Sequence, residues 1–336
     1  MRLVQLCHPD HGRAVAVVDG AALHPLRTHR TVRDLARAAM RSGRGLADVA
    51  RADVEATALD YDAIHGGRSP WRLLPPIDHP DESARCLVTG TGLTHVASAR
   101  QRQAMHAAAG ASTAPTDSMR MFEWGVAGGR PDSGSVGVQP EWFYKGTGDI
   151  LRAHGEPLDV PAFSGDGGEE AEIAGLYMVA DDGSPRRIGF AIGNEFSDHR
   201  METENYLYLA PSKLRTCALG PELVLDAACF ADVAATVSIR RGDETLWSSR
   251  VATGEANMSH SLANLEHHHF KHAAHRRPGD VHVHFFGADA FSFGAGVRLN
   301  DGDVMKVRFE GFGRTLSNPV GIDDAADAAV AVTPLA

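Results

Sequence analysis

Three glutamates and one lysine between residues 169 and 221 are the side chains of this sequence best suited to chemistry. Glu170 and Glu172 open an apolar run, and their spacing of two places both on one face of a strand. Glu195 ends the next apolar run, and Lys213 follows a proline-containing loop. Carboxylates converging from neighbouring strands suit a hard cation such as Mg²⁺, which prefers oxygen ligands. We therefore predict a metal site, although paired glutamates on a strand are more often a solvated face.

Several short motifs of this region resemble, in their order, the core of the fumarylacetoacetate hydrolase superfamily. EAEIAGLY, GNEFS and K-x-x-x-CALGP are similar to that family's E-x-E-L-A, N-D-x-S and K-x-x-x-x-C-x-L-G-P. The resemblance extends from about Thr89 to the C-terminus. It implies a mainly β fold with α-helices (α+β), a mixed β-roll of that family's type that has a small N-terminal domain and usually forms a homodimer.

A finer match favours one branch of that family. The segment ETENYLYLAPSK is similar to the G-E-N-x-L-Y-L-P-Q-A-K of the branch that dehydrates 2-keto-3-deoxy sugar acids. The hydrolase branch instead carries N-Y-x-x-H-x-x-E, whose His and Glu activate a water. Ser98 and Gln101 stand at those two positions, in an Ala-rich stretch over 93–110 that we expect to be partly helical. The missing pair favours dehydration over hydrolysis of a C–C bond.

The resemblance assigns Glu170, Glu172 and Glu195 as ligands of Mg²⁺, with Mn²⁺ or another divalent cation as the alternative. Glu195 departs from the family, whose third ligand is Asp. The extra methylene moves the carboxylate by about an ångström, and Mg²⁺ tolerates little departure from octahedral geometry. Either the backbone compensates or the affinity for metal falls. Asp198 is the weaker candidate for the third ligand, because GNEFS aligns directly with the family motif.

The same resemblance suggests catalytic and substrate-binding residues. Lys213 and Glu141 are candidates for the base that removes a proton from C3 of the substrate, and Lys213 alternatively steadies the enolate as a cation. His95, where the family usually has Tyr, is a candidate acid for the leaving hydroxyl, or equally a histidine beside the pocket without a chemical role. The predicted substrate-binding residues are Lys145, Ser98, Asn194 and Tyr208.

Together these residues predict an enzyme, a hydro-lyase that converts a 2-keto-3-deoxypentonate to 2,5-dioxopentanoate in sugar acid catabolism. The alternative is a hydrolase that cleaves a C–C bond of an acylpyruvate or a 2,4-diketo-3-deoxy sugar acid, since fold alone does not decide function. A third possibility is a catalytically silent protein that binds a sugar acid. Glu195 favours that possibility, as does Phe286, which stands where the family usually has Thr.

The chain is expected to form two domains. Residues 1–75 are expected to fold as a small α/β domain, 69–83 with four prolines as a linker, and 84–336 as the catalytic β-roll. The short strand-like runs of the first domain are split by turn residues such as Asp19-Gly20. Thr31 is expected to cap a helix of the first domain. A helix is also predicted within 258–280, and we interpret its many histidines as exposed or structural, because no acidic pattern of a zinc protease surrounds them.

Composition narrows the partners to small molecules. The net charge of −10 argues against binding nucleic acid, which requires a basic surface. The sequence shows neither an apolar run of membrane-spanning length nor a signal-peptide pattern. The four cysteines are scattered, so we interpret them as reduced, mostly buried thiols of a cytoplasmic protein. The expected partner is a 2-keto acid substrate, with no nucleic acid and no membrane.

Overall fold

A computed structural model describes residues 1–100 and 116–335. The strands, in chain order, are β1 (Arg2–His8), β2 (Gly12–Asp19), β3 (Ala22–Pro25), β4 (Leu59–Asp60), β5 (Arg72–Leu74), β6 (Cys86–Gly90), β7 (Phe143–Thr147), β8 (Leu151–Arg152), β9 (Leu158–Val160), β10 (Ala171–Val179), β11 (Pro185–Asn194), β12 (Cys217–Leu219), β13 (Leu223–Val224), β14 (Val233–Arg241), β15 (Glu244–Thr253), β16 (Val281–Phe285), β17 (Val304–Phe309) and β18 (Leu316–Ile322). The helices are α1 (Val32–Ser42), α2 (Leu46–Asp53), α3 (Tyr61–His65), α4 (Asp117–Gly128), α5 (His199–Glu204), α6 (Leu209–Ser212) and α7 (Leu262–Phe270).

The strands form two sheets. The larger has the order β4-β3-β2-β1-β13-β11-β10-β16-β6-β7, with β5 beside β1, β12 beside β11 and β8 beside β12. The smaller has the order β15-β14-β17-β18-β9. Most neighbours are antiparallel, whereas β16 with β6, β12 with β8 and β18 with β9 are parallel. This mixed pairing, with few helices, confirms the predicted α+β fold.

The N-terminal strands continue the larger sheet. The β2–β3 hairpin turns at Gly20, whose φ of 57° favours glycine, as the Asp-Gly pair predicted. Thr31 caps α1 by accepting a hydrogen bond from Asp34 N at 3.0 Å. β1 then pairs with β13, with Arg2 opposite Val224. The division into two domains remains a prediction, because this pairing joins the first residues of the chain to the sheet that carries the site.

β10 is buried along its whole length and lies between two apolar cores. Ile173 and Tyr177 face the core beneath the smaller sheet. Leu176 and Met178 face a second core, which extends to Leu35 of α1. A strand buried on both faces needs a continuous apolar run, and this is the run that follows the paired glutamates in the sequence.

The two other stretches singled out in the sequence are each helical in part. The helix expected within 258–280 is limited to α7 and a 3₁₀ turn over Ala273–Arg276. Of the Ala-rich stretch over 93–110, residues 96–100 are helical, and residues 101–115, including Gln101, lie outside the described residues. All four cysteines are free, with Cys86 and Cys217 buried.

Strand register positions the predicted metal ligands. Ala171 of β10 lies opposite Asn194 of β11, and Glu172 lies opposite Gly193. A Cβ at Gly193 would lie 2.3 Å from the ring of Phe285 on β16, so only glycine lets β16 pack this closely. Three strands therefore converge where the glutamates stand.

Candidate metal and active site

The structure brings together the three glutamates that the sequence singled out. Glu170, Glu172 and Glu195 are buried, and each offers a carboxylate oxygen within 4.8 Å of the other two. The backbone N–H of Glu195 donates to the carbonyl oxygen of Glu170 at 2.8 Å, so these two residues lie opposite each other just beyond the paired strands. Within residues 1–100 and 116–335, no other trio of Asp, Glu, His or Cys side chains is arranged to hold a metal.

Two buried lysines supply positive charge to these carboxylates. Lys213 Nζ donates to Glu170 Oε1 at 2.6 Å, to Glu195 Oε2 at 2.7 Å and to Ser197 Oγ at 2.9 Å. These bonds match the three donors of an ammonium group. Lys145 Nζ lies 2.6 Å from Glu195 Oε1. The carboxylate cluster, as named below, consists of Glu170, Glu172, Glu195, Lys145 and Lys213.

Glu172 faces the least compensated environment of the cluster. Its Oε2 accepts a hydrogen bond from the backbone N–H of Gly287 at 2.6 Å. Burial, together with the charges of Glu195 and Glu170, raises the pKa of Glu172 well above its usual range. Burial also raises the pKa of Glu195, although Lys145 and Lys213 oppose that effect. The three carboxyl groups thus formally outnumber the two lysines, and burial favours the neutral form of Glu172.

This donor set fits a divalent cation. Mg²⁺ takes oxygen ligands at about 2.1 Å, which puts ligand oxygens about 3 to 4 Å apart around the ion, and the carboxylates already lie on that scale. Glu195 reaches the cluster despite its extra methylene. Asp198 instead caps α5 and pairs with Arg215 at 3.2 Å. Glu195 is thus the third candidate ligand, and Asp198 is not.

The sequence reasoning missed His199, which lies beside the cluster. Its Nε2 is 3.0 Å from Glu170 Oε1, and its ring stacks on Phe291 with 4.9 Å between centroids. Burial alone lowers the pKa of His199, but the hydrogen bond and charge of Glu170 outweigh burial, so the net pKa is raised. No motif marked His199, and the feature of the sequence that could have pointed to it is its position four residues after Glu195.

Glu141 is held by a residue that was also missed. Its Oε2 accepts a hydrogen bond from Tyr206 OH. Its carboxylate packs over Gly92, where a Cβ would lie 2.1 Å from Oε1. Glu141 lies two residues before β7, the strand that carries Lys145. Tyr206 stands two residues before Tyr208, which was chosen from the motif.

The geometry argues against His95 as an acid. The side chain is 1% exposed, and its nitrogens lie 2.9 Å from Thr94 Oγ1 and 3.1 Å from Thr253 Oγ1. Burial lowers the pKa of His95 to about 4, so the ring is neutral at pH 7. Ser98, predicted to bind substrate, donates its hydroxyl to the carbonyl oxygen of His95 at 3.1 Å. Both residues stabilise the local fold here.

Three other predicted substrate-binding residues have different surroundings from those expected. Asn194 Oδ1 accepts from the backbone N–H of Glu170 at 3.2 Å, so Asn194 positions that glutamate. Lys145 is fully buried, and its ammonium is committed to Glu195 and the carbonyl oxygen of Phe196. Tyr208 is 48% exposed. Lys145 thus belongs to the carboxylate cluster and Asn194 contacts it, and their roles in substrate binding remain predictions.

The side chain of Phe286, which stands where the family usually has Thr, lies in the apolar core and not in the carboxylate cluster. Its ring is buried in the core beneath the smaller sheet, with the ring of Phe230 at 5.1 Å between centroids. The neighbouring Gly287, with a φ of 97°, turns the chain so that its N–H reaches Glu172. The departure from the family's usual Thr therefore changes the core, while the backbone still serves the cluster.

Histidines of α7 and β16 form a separate buried group. Trp142 Nε1 donates to His269 Nδ1 at 3.2 Å, and His269 Nε2 lies 3.0 Å from His282 Nδ1. His284 stacks on His269 with 4.5 Å between ring centroids. Burial lowers the pKa of His282 and of His284 to about 3. This histidine cluster, defined as His269, His275, His282 and His284, is structural.

Comparisons of the sequence with known proteins give two relatives of named activity. No protein-family model matches. A 2-dehydro-3-deoxy-D-arabinonate dehydratase of Saccharolobus solfataricus is 36% identical over 89 residues, which cover 26% of this chain and 28% of that protein. A probable 2-keto-3-deoxyxylonate dehydratase of Haloferax volcanii is 28% identical over 186 residues, 54% of this chain and 60% of that protein. The matches thus span less than two thirds of either relative.

Solved structures share the fold over nearly the whole chain. A crystal form of 2-keto-3-deoxyarabinonate dehydratase gives a TM-score of 0.71 at 21% identity, covering 97% of this chain and 100% of that one. A 2-keto-3-deoxy-D-arabinonate dehydratase complexed with magnesium and 2,5-dioxopentanoate gives 0.70 at 20% identity, covering 96% and 99%. A 5-carboxymethyl-2-hydroxymuconate delta-isomerase from Mycobacterium smegmatis gives 0.58 at 20% identity, covering 96% and 100%. These likenesses, at 20–21% identity, show that the fold is shared.

No helix in the described part of the chain has the length and apolar character needed to cross a bilayer.

Proposed function

We propose that this protein is a metal-dependent dehydratase, a lyase that converts a 2-keto-3-deoxypentonate to 2,5-dioxopentanoate. The observation that carries the proposal is the buried carboxylate cluster, in which Glu170, Glu172 and Glu195 converge with Lys213 among them. The two named relatives, both dehydratases of such acids, support the reaction class. The homodimer and the cytoplasmic location remain predictions from the sequence.

Glu170, Glu172 and Glu195 would hold Mg²⁺ or another divalent cation. When bound, the ion supplies Lewis acidity to the carboxylate and keto oxygens of the substrate, which makes the C3 protons more acidic. His199 fixes the orientation of Glu170 through its bond to Oε1, and Asn194 fixes the backbone before it. Such outer contacts keep ligating oxygens in place.

Of the two roles considered for Lys213, the structure favours that of a cation. Its three ammonium donors are matched by two carboxylates and a hydroxyl, which stabilises the protonated form. A fixed positive charge inside a dry site stabilises negative charge that develops on the substrate as C3 loses its proton. Lys145, on the opposite oxygen of Glu195, holds that carboxylate in place.

Glu141 is then the proposed base. It takes the C3 proton, and Tyr206 holds its carboxylate in one orientation. The C4 hydroxyl leaves with a proton as water, which leaves a C3–C4 double bond. A hydrogen then shifts from C5 to C3 to give the C4–C5 enol, and transfer of the proton of the C5 hydroxyl to C4 gives the aldehyde at C5. One water is lost overall. Tyr206, which bonds Glu141, is a better candidate than His95 to donate the proton to the leaving group, because His95 is neutral and enclosed by threonines.

A product assay tests the proposal. Protein stripped with chelator and then given Mg²⁺ is incubated with each C4 epimer of 2-keto-3-deoxypentonate, and 2,5-dioxopentanoate is followed with a coupled aldehyde dehydrogenase. We expect product only with metal and a preference for one epimer. Release of pyruvate from an acylpyruvate, with no product from either epimer, would establish the hydrolase alternative instead. Tight binding of the sugar acid without turnover would establish the catalytically silent alternative.

A further inference from the structure

Three arginines gather around Gly279, at the far end of β10 and β16 from the carboxylate cluster. A Cβ built on Gly279 would lie 3.2 Å from Arg85 Nη2 and 3.7 Å from both Arg33 Nη2 and Arg37 Nη2. Gly279 has a φ of 84°, so the backbone itself requires glycine. Its N–H donates to Val179 O at the end of β10. We call Arg33, Arg37 and Arg85 the arginine cluster.

Three side chains here have buried donor atoms without acceptors among the described residues: Arg33, Arg37 and His79. Arg33 is 6% exposed and His79 is 4% exposed. His79 Nδ1 accepts a hydrogen bond from Glu82 N at 3.1 Å, so the proton of the neutral ring lies on Nε2. Within residues 1–100 and 116–335, no acceptor contacts His79 Nε2, Arg33 Nε or Arg37 Nε. A buried donor left without an acceptor is unfavourable, and an anion bound there would supply the missing acceptor.

Four acidic side chains lie around the cluster, and one of them pairs with it. Asp280 pairs with Arg85 at 2.7 Å. Asp34, Asp81 and Glu82 are exposed and act on the cluster at a distance. Burial lowers the pKa of Arg33 and of His79, and the neighbouring arginines add to this effect. Buried donors without acceptors, and not an excess of positive charge, therefore mark this site.

We propose that the arginine cluster, with His79, binds the phosphate group of a small molecule or of free phosphate. Guanidinium groups present planar pairs of donors that match phosphate oxygens, and several guanidiniums around one point match a group with more than one negative charge. Chloride would leave most of these directional donors unmatched. The site goes beyond the proposed function and shares no residue with the carboxylate cluster.

A groove beside the cluster has room for the rest of such a molecule. It has a volume of ≈ 540 Å³ and lies between α1 and the β10–β11 turn. Arg37 belongs to both the groove and the cluster. The other charged residues that line the groove are Arg41, Arg44, Arg186, Arg187, Asp181 and Asp182. Arg41 pairs with Asp181 at 3.4 Å, whereas Nε of Arg37 has no acceptor among the described residues. Arg37 is thus the residue of choice for testing the site.

The distance between the two clusters favours a role separate from catalysis. Val179 is seven residues from Glu172 on β10, or about 23 Å along an extended strand. The chain between them is buried throughout. A phosphate-bearing ligand would therefore bind at the junction of α1 with β6 and β16, where it bridges the first helix of the chain and the sheet.

Calorimetry with inorganic phosphate, on the full-length protein with Mg²⁺ and sodium chloride at matched ionic strength as the control titration, tests the site. We expect saturable binding that Arg37→Gln weakens by about tenfold or more, since a charge-assisted bidentate pair is lost. Arg41→Gln, one turn further along α1 and exposed, should change the affinity less than about twofold. Titrations with ribose 5-phosphate and with ribose then distinguish free phosphate from the phosphate group of a small molecule as the ligand. Tighter binding of ribose 5-phosphate than of inorganic phosphate would place a sugar in the groove.

A second measurement needs no variant. Phosphate should slow modification of Arg37 by phenylglyoxal, read by mass spectrometry, while Arg41 reacts at an unchanged rate.

Basal turnover of Arg37→Gln should equal that of wild type, so failure of this site and failure of the proposed function give different results. Binding that does not saturate, that equals chloride, or that Arg41→Gln weakens as much as Arg37→Gln would overturn the proposal.

Discussion

The carboxylate cluster and the histidine cluster bury ionisable groups in opposite ways. In the first, Glu195 keeps both oxygens against lysine ammonium groups. In the second, the ring of His269 is hydrogen-bonded to the ring of His282. Both rings stay neutral, because their pKa values lie far below the usual range. Pairing leaves charge in place to bind a cation, whereas neutrality avoids the cost of burying charge at all. Only the first arrangement can hold a metal with carboxylate oxygens.

Removing one carboxylate of the carboxylate cluster should give the largest of the predicted effects. If it did not, the contrast between the carboxylate cluster and the histidine cluster would not hold. Glu172→Gln keeps the shape but removes a ligand charge, so Mg²⁺-dependent formation of 2,5-dioxopentanoate should fall by about a thousandfold or more, about 4 kcal/mol of activation free energy. The coupled assay measures this loss. Glu266→Gln, on α7 outside the cluster, is the matched control. Full activity in Glu172→Gln would remove the metal site from the mechanism.

Removing a paired lysine should unfold the protein more easily. Lys145→Met removes the ammonium group from Oε1 of the buried Glu195 and leaves that oxygen the hydroxyl of Ser197 at 3.2 Å, so the free energy of unfolding should fall by about 3–5 kcal/mol. Guanidinium denaturation measures the change. Lys271→Met, at an exposed position, should change the free energy by less than about 0.5 kcal/mol. Equal stability of Lys145→Met and wild type would mean that pairing is not what retains Glu195 in its charged form.

Lowering the pH should destabilise the folded protein, because the buried histidine cluster stays neutral while the unfolded chain binds protons. The unfolded chain binds a proton at each histidine near pH 6.5, whereas folded His284 binds one only near pH 3. Each such histidine therefore lowers the free energy of unfolding by about 1.4 kcal/mol per pH unit as pH falls below 6.5, until its folded pKa is reached. The variant His284→Gln lacks this histidine, so between pH 6.5 and 4.5 its free energy of unfolding should fall less steeply with falling pH, by about 1.4 kcal/mol per pH unit.

Denaturation of wild type and His284→Gln at several pH values tests the slope. The difference between the two proteins cancels the contributions of the carboxylates. Exposed His267→Gln should follow wild type. Parallel curves for wild type and His284→Gln would show that His284 is protonated in the fold.

Metal binding should give the smallest effect, on thermal stability. Mg²⁺ at about tenfold its dissociation constant stabilises the folded state by about 1.4 kcal/mol, which raises Tm by about 2–4 °C. A thermal melt after chelation and after Mg²⁺ addition measures the rise. It should be absent in Glu172→Gln and present in His284→Gln. A rise of equal size in both variants would place the ion outside the carboxylate cluster.

The sequence predicted well whatever depends on local pattern. Thr31 at the start of α1, the Asp-Gly turn before β3 and the paired glutamates that open β10 were all readable, because caps, turns and strand alternation act over a few residues. The fold class followed from motifs that recur in fixed order. These signals do not report what packs against a side chain.

His95 shows how such prediction fails. Its residue type suggested a titrating acid, but the pKa of about 4 comes from complete burial and its ring contacts include Thr253, far along the chain. Glu141 was chosen from a motif, yet its partner Tyr206 comes from another segment. His199 was missed for the same reason, since its raised pKa depends on Glu170 across the sheet.

The sequence by itself determined which residue types are available and which share a face: Glu170 and Glu172 on one strand, Glu195 after the next. Only the tertiary structure decided that Lys145 pairs with Glu195, which lies fifty positions further along, or that Arg33 meets Gly279, 246 positions away. The reason is physical. Local geometry sets the direction of a side chain, but burial and charged neighbours set its protonation and its partners, and both come from segments that meet only in the folded chain.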